Sequence, residues 1–327
     1  MKKLALLLGS LLLVGATAQA KEVIAAPVEV SKEVMVVAEP VVEEVVVVEA
    51  AAPNFRVTRF GQWIEVDNSS GSDDGDIGLF YFAQDLGLAY GDDWTFGVQA
   101  YKNWQVDTSE GLSNTGGRVQ LDAWRKFNQD QEFKYALGTR VRFYSGNADF
   151  DRYYLRGNYS YGMFSGWADT FYNSYNGAED SRDGYAFETM PLNMKFGPLT
   201  LGYFFGYSSK VGSNDRVIAD GTAFDSRPEG TTHQLRAYFP LFNYGKLSTG
   251  AQFRLGLHKD NKSGEVNTGT DTVYEFGKYQ RYAVDATYAY SQDLDFTAYY
   301  VYEITDVKDQ SENDYYGEFG MGWNYKF

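Results

Sequence analysis

The chain has 327 residues, with 29 Lys and Arg against 44 Asp and Glu, a formal charge of −15, two His and no Cys. The acid excess argues against a nucleic-acid partner, which would need a basic surface, and the lack of Cys excludes disulfides and a Cys-linked lipid anchor. A mean hydropathy of −0.41 beside 27 Tyr, 23 Phe and 6 Trp is unusual for a soluble enzyme, but it is what alternating lipid-facing and water-facing positions would average to.

Lys2 and Lys3 precede the apolar run Leu4 to Ala16, and Ala18-Gln19-Ala20 forms a small-x-small cleavage site. Residues 1–20 are therefore expected to be a secretory signal peptide. The apolar run falls short of the roughly 20 residues a membrane helix needs, and no apolar run beyond Ala20 is long enough to span as a helix. Cleavage would leave 27 basic against 44 acidic residues, a charge of −17.

Residues 21–53 are rich in Val, Glu, Ala and Pro, with Pro27, Pro40 and Pro53 and neither Gly nor aromatic residues. Prolines interrupt every short apolar run, so the segment is expected to be a largely disordered periplasmic linker rather than a plug or coiled coil.

From Asn54 the aromatic content rises, and residues 54–327 are expected to form an outer-membrane β-barrel. Short turns at 91–93, 128–131, 162–166, 197–198, 243–245 and 291–294 alternate with longer polar connections near 68–76, 107–117, 145–150, 176–184, 209–231, 259–272 and 306–314. That spacing predicts about fourteen antiparallel, up-and-down strands, with short turns in the periplasm and long loops outside. The fold class is thus all-β, a transmembrane barrel. The run Asp76 to Tyr90 breaks parity between Leu79 and Tyr81 on one side and Leu86 and Leu88 on the other, which a bulge near Asp85 would reconcile. Outward Ala123, Leu121 and Val119 are expected to meet Leu137, Thr139 and Val141. Outward Leu241, Phe239, Ala237 and Leu235 are likewise set against Leu247, Thr249, Ala251 and Phe253. Trp94, Phe133, Trp167 and Phe296 are read as outward members of an aromatic girdle, and Arg125 as snorkelling to the periplasmic interface.

The final strand alternates without a miss. Tyr315, Gly317, Phe319, Met321, Trp323, Tyr325 and Phe327 share one face, and Tyr316, Glu318, Gly320, Gly322, Asn324 and Lys326 the other. The simplest surface able to receive such an outward face all round a chain is lipid. This ending resembles the assembly signal of bacterial outer-membrane barrels, a glycine followed by two aromatics spaced by one residue. Gly322, Tyr325 and Phe327 fit it, while Gly320 stands where a polar residue would be expected.

The predicted inward face carries charge of both signs. Arg118, Arg140, Arg142, Arg152 and Arg156 form a basic wall on the fourth to sixth strands, with Arg118 set opposite Arg142 and Arg156 beside Arg140. Adjacent like charges require water or compensating acids. Asp285, Glu303 and Glu318, on the twelfth to fourteenth strands, are expected to supply these from across the lumen, creating a transverse field. A generic polar lumen with scattered ion pairs is the simpler alternative. His233 and His258 fall on opposite faces in this register, so neither a catalytic pair nor a protonation switch is expected. Asp73-Asp74-Gly75-Asp76 lacks the spacing of a calcium-binding EF-hand loop and reads as a solvated loop. No catalytic residue, metal or cofactor is expected.

The Lys-Lys signal peptide ending Ala-Gln-Ala-Lys-Glu-Val, the Val/Glu/Pro segment and the aromatic barrel together resemble the outer-membrane proteins of fusobacteria. The count of fourteen strands also looks like the monomeric porin G type. What these resemblances imply is a general diffusion porin in the bacterial outer membrane, passing small hydrophilic solutes and ions. Its partners would be the lipid bilayer, those solutes and the outer-membrane assembly machinery. A channel selective for anionic solutes such as acidic sugars, and a surface adhesin, are the alternatives.

Overall fold

The computed structural model describes residues 54–68, 78–107, 111–146, 150–175, 183–211, 216–217, 223–265, 270–307 and 314–327. The expected signal peptide and linker, and the Asp73 to Asp76 loop, lie outside these residues.

The strands are β1 (Phe55–Asn68), β2 (Leu79–Tyr90), β3 (Trp94–Asp107), β4 (Gly111–Phe127), β5 (Phe133–Gly146), β6 (Phe150–Tyr161), β7 (Phe164–Tyr175), β8 (Gly184–Phe196), β9 (Leu199–Lys210), β10 (Arg216–Val217), β11 (Ala223–Tyr244), β12 (Leu247–Glu265), β13 (Thr270–Ala289), β14 (Leu294–Val307) and β15 (Asp314–Lys326). Each pairs antiparallel with its chain neighbour, except that β9 pairs with β11 past the two-residue β10, and β15 returns to β1. The ring therefore closes on fourteen strands, with no helix among the described residues. Closure gives each of these fourteen strands a partner on both sides, the condition for a sheet in lipid.

Period-two patterning sets the two faces, and turn chemistry sets where the strands reverse. At Gly197 and Gly245 the backbone takes φ of 56° and 57°, the left-handed conformation a two-residue hairpin turn needs. Lumen and lipid faces separate cleanly along β15, where Phe319 and Met321 are about half exposed to the exterior while Glu318 is buried inside.

Several expected registers shift by two residues, which moves partners but preserves faces. Ala123 pairs with Thr139 and Leu121 with Val141, because the turn opened by Asn128 (φ 54°) spans up to Phe127 pairing with Tyr135, whose rings stack at 4.8 Å. On the other side of the barrel Ala237 pairs with Phe253 and Leu235 with Leu255. The tight turn follows Tyr244, and the ladder is irregular at Leu241, beside Pro240, which has no N–H to donate. No bulge occurs near Asp85, since β2 pairs with β3 without interruption. The irregularity lies at Thr58 on β1. Tyr81 breaks the apolar parity because it faces inward, its hydroxyl directed at Asp67. The connections expected over 107–117 and 259–272 are narrower than anticipated: Asp107 pairs with Gly111 and Glu265 with Thr270. Polar residues can continue a ladder beyond the bilayer, where no apolar alternation is imposed.

Candidate functional site

On β4, Arg118, Gln120 and Asp122 share the inward parity, and the two-residue shift decides what they meet. Asp122 pairs with Arg140, Gln120 with Arg142 and Arg118 with Tyr144. Asp122 Oδ1 accepts a hydrogen bond from Arg140 Nε at 2.6 Å and from Arg156 Nη1 at 3.1 Å. Arg156 Nε also donates to Asp169 Oδ1 on β7 at 3.0 Å. Two of the five predicted arginines are thus ion-paired on their own wall, by acids that the sequence reading passed over.

The other three bond to neutral groups. Arg142 donates to Gln120 Oε1 at 2.6 Å and to the Tyr154 hydroxyl at 2.9 Å. Arg152 donates to Asn173 Oδ1 at 2.5 Å and to Tyr154 at 3.2 Å, with its guanidinium 4.7 Å from the Phe171 ring centre. Arg118 donates to Gln99 and lies 4.4 Å from the Tyr101 ring centre. Aromatic faces attract cations through their quadrupole, so these rings hold the guanidinium planes without cancelling their charge. Arg142 and Arg152 are direct cross-strand partners.

The acidic stretch gathers more residues than predicted. Glu303 on β14 is ion-paired with Arg281 on β13. Glu318 on β15 accepts from the Tyr316 hydroxyl at 3.0 Å. Glu65 on β1 accepts from Tyr299, and Asp67 accepts from the Leu79 amide at 2.6 Å. Asp285 on β13 leans over Gly250 of β12, where an added Cβ would come within 2.7 Å of its Oδ1. A third group lies beyond it, where the two-residue register shift brings two inward arginines together. Arg236 and Arg254 are cross-strand partners on β11 and β12, and Arg236 stacks 3.9 Å from the Phe204 ring centre.

Trp167 corrects the expected girdle. It shares parity with Asp169 and Phe171, which meet Arg156 and Arg152, so it faces inward, 6.2 Å from the ring of Phe204. Trp94, Phe133 and Phe296 are exposed on the exterior, and Arg125 lies over the rings of Trp94 and Phe127. Gly322 pairs with Trp63, and Tyr325 meets Phe327 with ring centres 4.9 Å apart. His233 faces outward, its Nδ1 2.6 Å from the Tyr203 hydroxyl, and its backbone pairs with that of His258.

A closed antiparallel barrel with a charged interior and an apolar, aromatic-rimmed exterior is a bacterial outer-membrane β-barrel. No family model and no curated protein sequence matches the chain. Solved structures similar to it include OmpT of Vibrio cholerae, at 12% identity over 84% of this chain and 98% of that one, with a TM-score of 0.40. An anion-selective porin from Comamonas acidovorans is similar at 10% identity over 84% and 100%, with a TM-score of 0.38. The translocator domain of the autotransporter NalP from Neisseria meningitidis is similar at 14% over 83% and 89%, with a TM-score of 0.41. Identities this low carry no residue correspondence, so solute and selectivity have to be read from this chain's own lumen.

Proposed function

We propose that the barrel is a diffusion channel for small hydrophilic solutes and ions, general rather than dedicated to one substrate, in the manner of the porins it resembles. The observation that carries this reading is the inward face, charged or polar on successive strands, which a water-filled lumen would solvate. Within that reading Arg118, Arg140, Arg142, Arg152 and Arg156 form one pore wall and Asp285, Glu303 and Glu318 part of the other. The effective positive charge is carried by Arg118, Arg142 and Arg152, whose hydrogen-bond partners are neutral. Those same three arginines favour one second reading, a channel that prefers anionic solutes such as acidic sugars. Residues 1–20 act as the export signal and 21–53 as a periplasmic linker in this scheme, and Gly322, Tyr325 and Phe327 as the signal read by the assembly machinery.

Single-channel recording of the purified protein in planar bilayers under a salt gradient tests the reading. Stepwise conductance with modest ion selectivity is expected, and the double variant R142Q/R152Q should move the reversal potential toward cations. A barrel that inserts but stays closed would overturn the channel reading and favour an adhesin. Block by one class of acidic sugar would favour the selective channel.

A further inference from the structure

The lipid-facing surface carries a polar defect. Gln62 on β1 and Gln84 on β2 are direct cross-strand partners. Gln62 has the parity of Phe60, Ile64 and Val66, opposite to that of Glu65 and Asp67, whose carboxylates bond inside the barrel. Gln84 stands between outward Phe82 and Leu86, while its neighbour Asp85 is ion-paired inside with Arg59. Both carboxamides therefore sit partway up the exterior with apolar residues above and below. Neither is hydrogen-bonded to a described residue.

Several other polar side chains of this exterior are differently placed. Gln280 accepts from the Tyr282 hydroxyl at 2.8 Å, and Thr170 donates to the Ala186 carbonyl at 3.3 Å. The Lys102 ammonium reaches back over Trp104 at 5.4 Å, and Arg125 lies beside a short turn. Long cationic chains can snorkel to the interface, but a glutamine is too short to do so. Even bonded to each other, the two carboxamides would keep N–H donors facing acyl chains that offer no hydrogen bond, and these call for a polar partner.

We propose that the exterior of β1 and β2 around Gln62 and Gln84 is where a second copy of this chain docks. Copies inserted in one direction keep each residue at a fixed depth, so this pair can only be met by groups at its own height. A carboxamide has two N–H donors and a carbonyl acceptor, so it is its own complement across a two-fold axis normal to the membrane. Ala100 of β3, next to Gln84, adds no bulk that would hold two barrels apart, and Trp323 of β15, next to Gln62, bounds the patch on its other side.

The chain has no Cys, so one substitution introduces one thiol. Q62C, Q84C and, as a control, L155C would each be made in the full-length protein. They would then be treated with copper phenanthroline in native outer membranes. Leu155 occupies the same outward position from its short turn on β6 as Gln84 does on β2, and it is 65% exposed. A disulfide-linked band of twice the monomer mass is expected for Q62C or Q84C and not for L155C. The unoxidised Q62L/Q84L variant should keep its heat-modifiable migration, the sign of a folded barrel, and fall from two copies to one by light scattering in mild detergent. Equal cross-linking of all three, none at either glutamine, or linkage to a different protein would each overturn the proposal. So would an undiminished mass for the folded double leucine variant.

Discussion

Arg140 Nε lies 2.6 Å from Asp122 Oδ1 across the β4–β5 ladder, and the same oxygen accepts Arg156 from one strand further on. One carboxylate oxygen therefore tethers two of the five inward arginines, and Asp169 takes the second donor of Arg156. Like charges crowded on adjacent strands are tolerable here because the counter-charge is interleaved with them, not held across the lumen.

Replacing Asp122 by Asn should uncover the Arg140 guanidinium and leave Arg156 held by Asp169 alone. The pairs are largely buried, with side chains 9–12% exposed, and removing one partner of a charge-assisted bond costs about 1–3 kcal/mol. We expect D122N to unfold at lower urea while gaining anion preference in bilayer recordings. A change in stability with no change in reversal potential would separate this cluster from the conduction path.

Arg118, Arg142 and Arg152 keep neutral partners, so their field should reach permeating ions. The difference in reversal potential between wild type and R142Q/R152Q should be clear near 0.1 M salt and fade near 1 M, as the Debye length shrinks from about 10 Å to about 3 Å. A salt-independent difference would point to a steric change instead.

The barrel and its two faces were legible in the sequence because period two marks them directly, and a register error of two residues leaves parity intact. Pairing was not legible. Whether Arg140 meets Asp122 or Gln120, and Arg142 meets Gln120 or Arg118, depends on how the chain leaves Asn128 and reaches Tyr135, where Phe127 stacks. Asp122 itself was visible, two residues from Gln120 on the same face, but its role appears only once the register is known. Trp167 misled for another reason. In the middle of β7 the exterior is built from Gly166, Ala168 and Thr170, while Trp167 turns inward against Phe204 and Phe171 against Arg152, so hydrophobicity points to the wrong face there.

Gly322 has a packing reason of its own to be glycine. A Cβ there would come within 2.4 Å of both the Gln62 carbonyl oxygen and the Trp63 Cβ. Backbone atoms of a paired strand cannot retreat cheaply, and overpacking costs about 1–3 kcal/mol. G322A should therefore reduce the yield of heat-modifiable barrel. G97A, whose Cβ would meet Asp122 Cβ at an ordinary 3.5 Å, should fold as wild type. Equal yields from both variants would remove crowding as the cause.

Arg281 and Glu303 form the ion pair of the acidic side, on neighbouring strands with side chains 5% and 18% exposed. An ion pair this enclosed is held less by its net worth than by the penalty for leaving either charge alone. R281Q strands Glu303 beside Glu318, whereas E303Q leaves the guanidinium facing Glu318, so R281Q should lose the more stability, about 3 kcal/mol, the low end for an enclosed pair because a wet lumen screens. The double variant R281Q/E303Q should lose less than the two singles combined, because neither member of the pair is left charged without the other. A double-mutant cycle on urea midpoints measures this directly. Strict additivity would mean that the pair is solvated well enough for each charge to stand by itself, and that water reaches the acidic wall to its base.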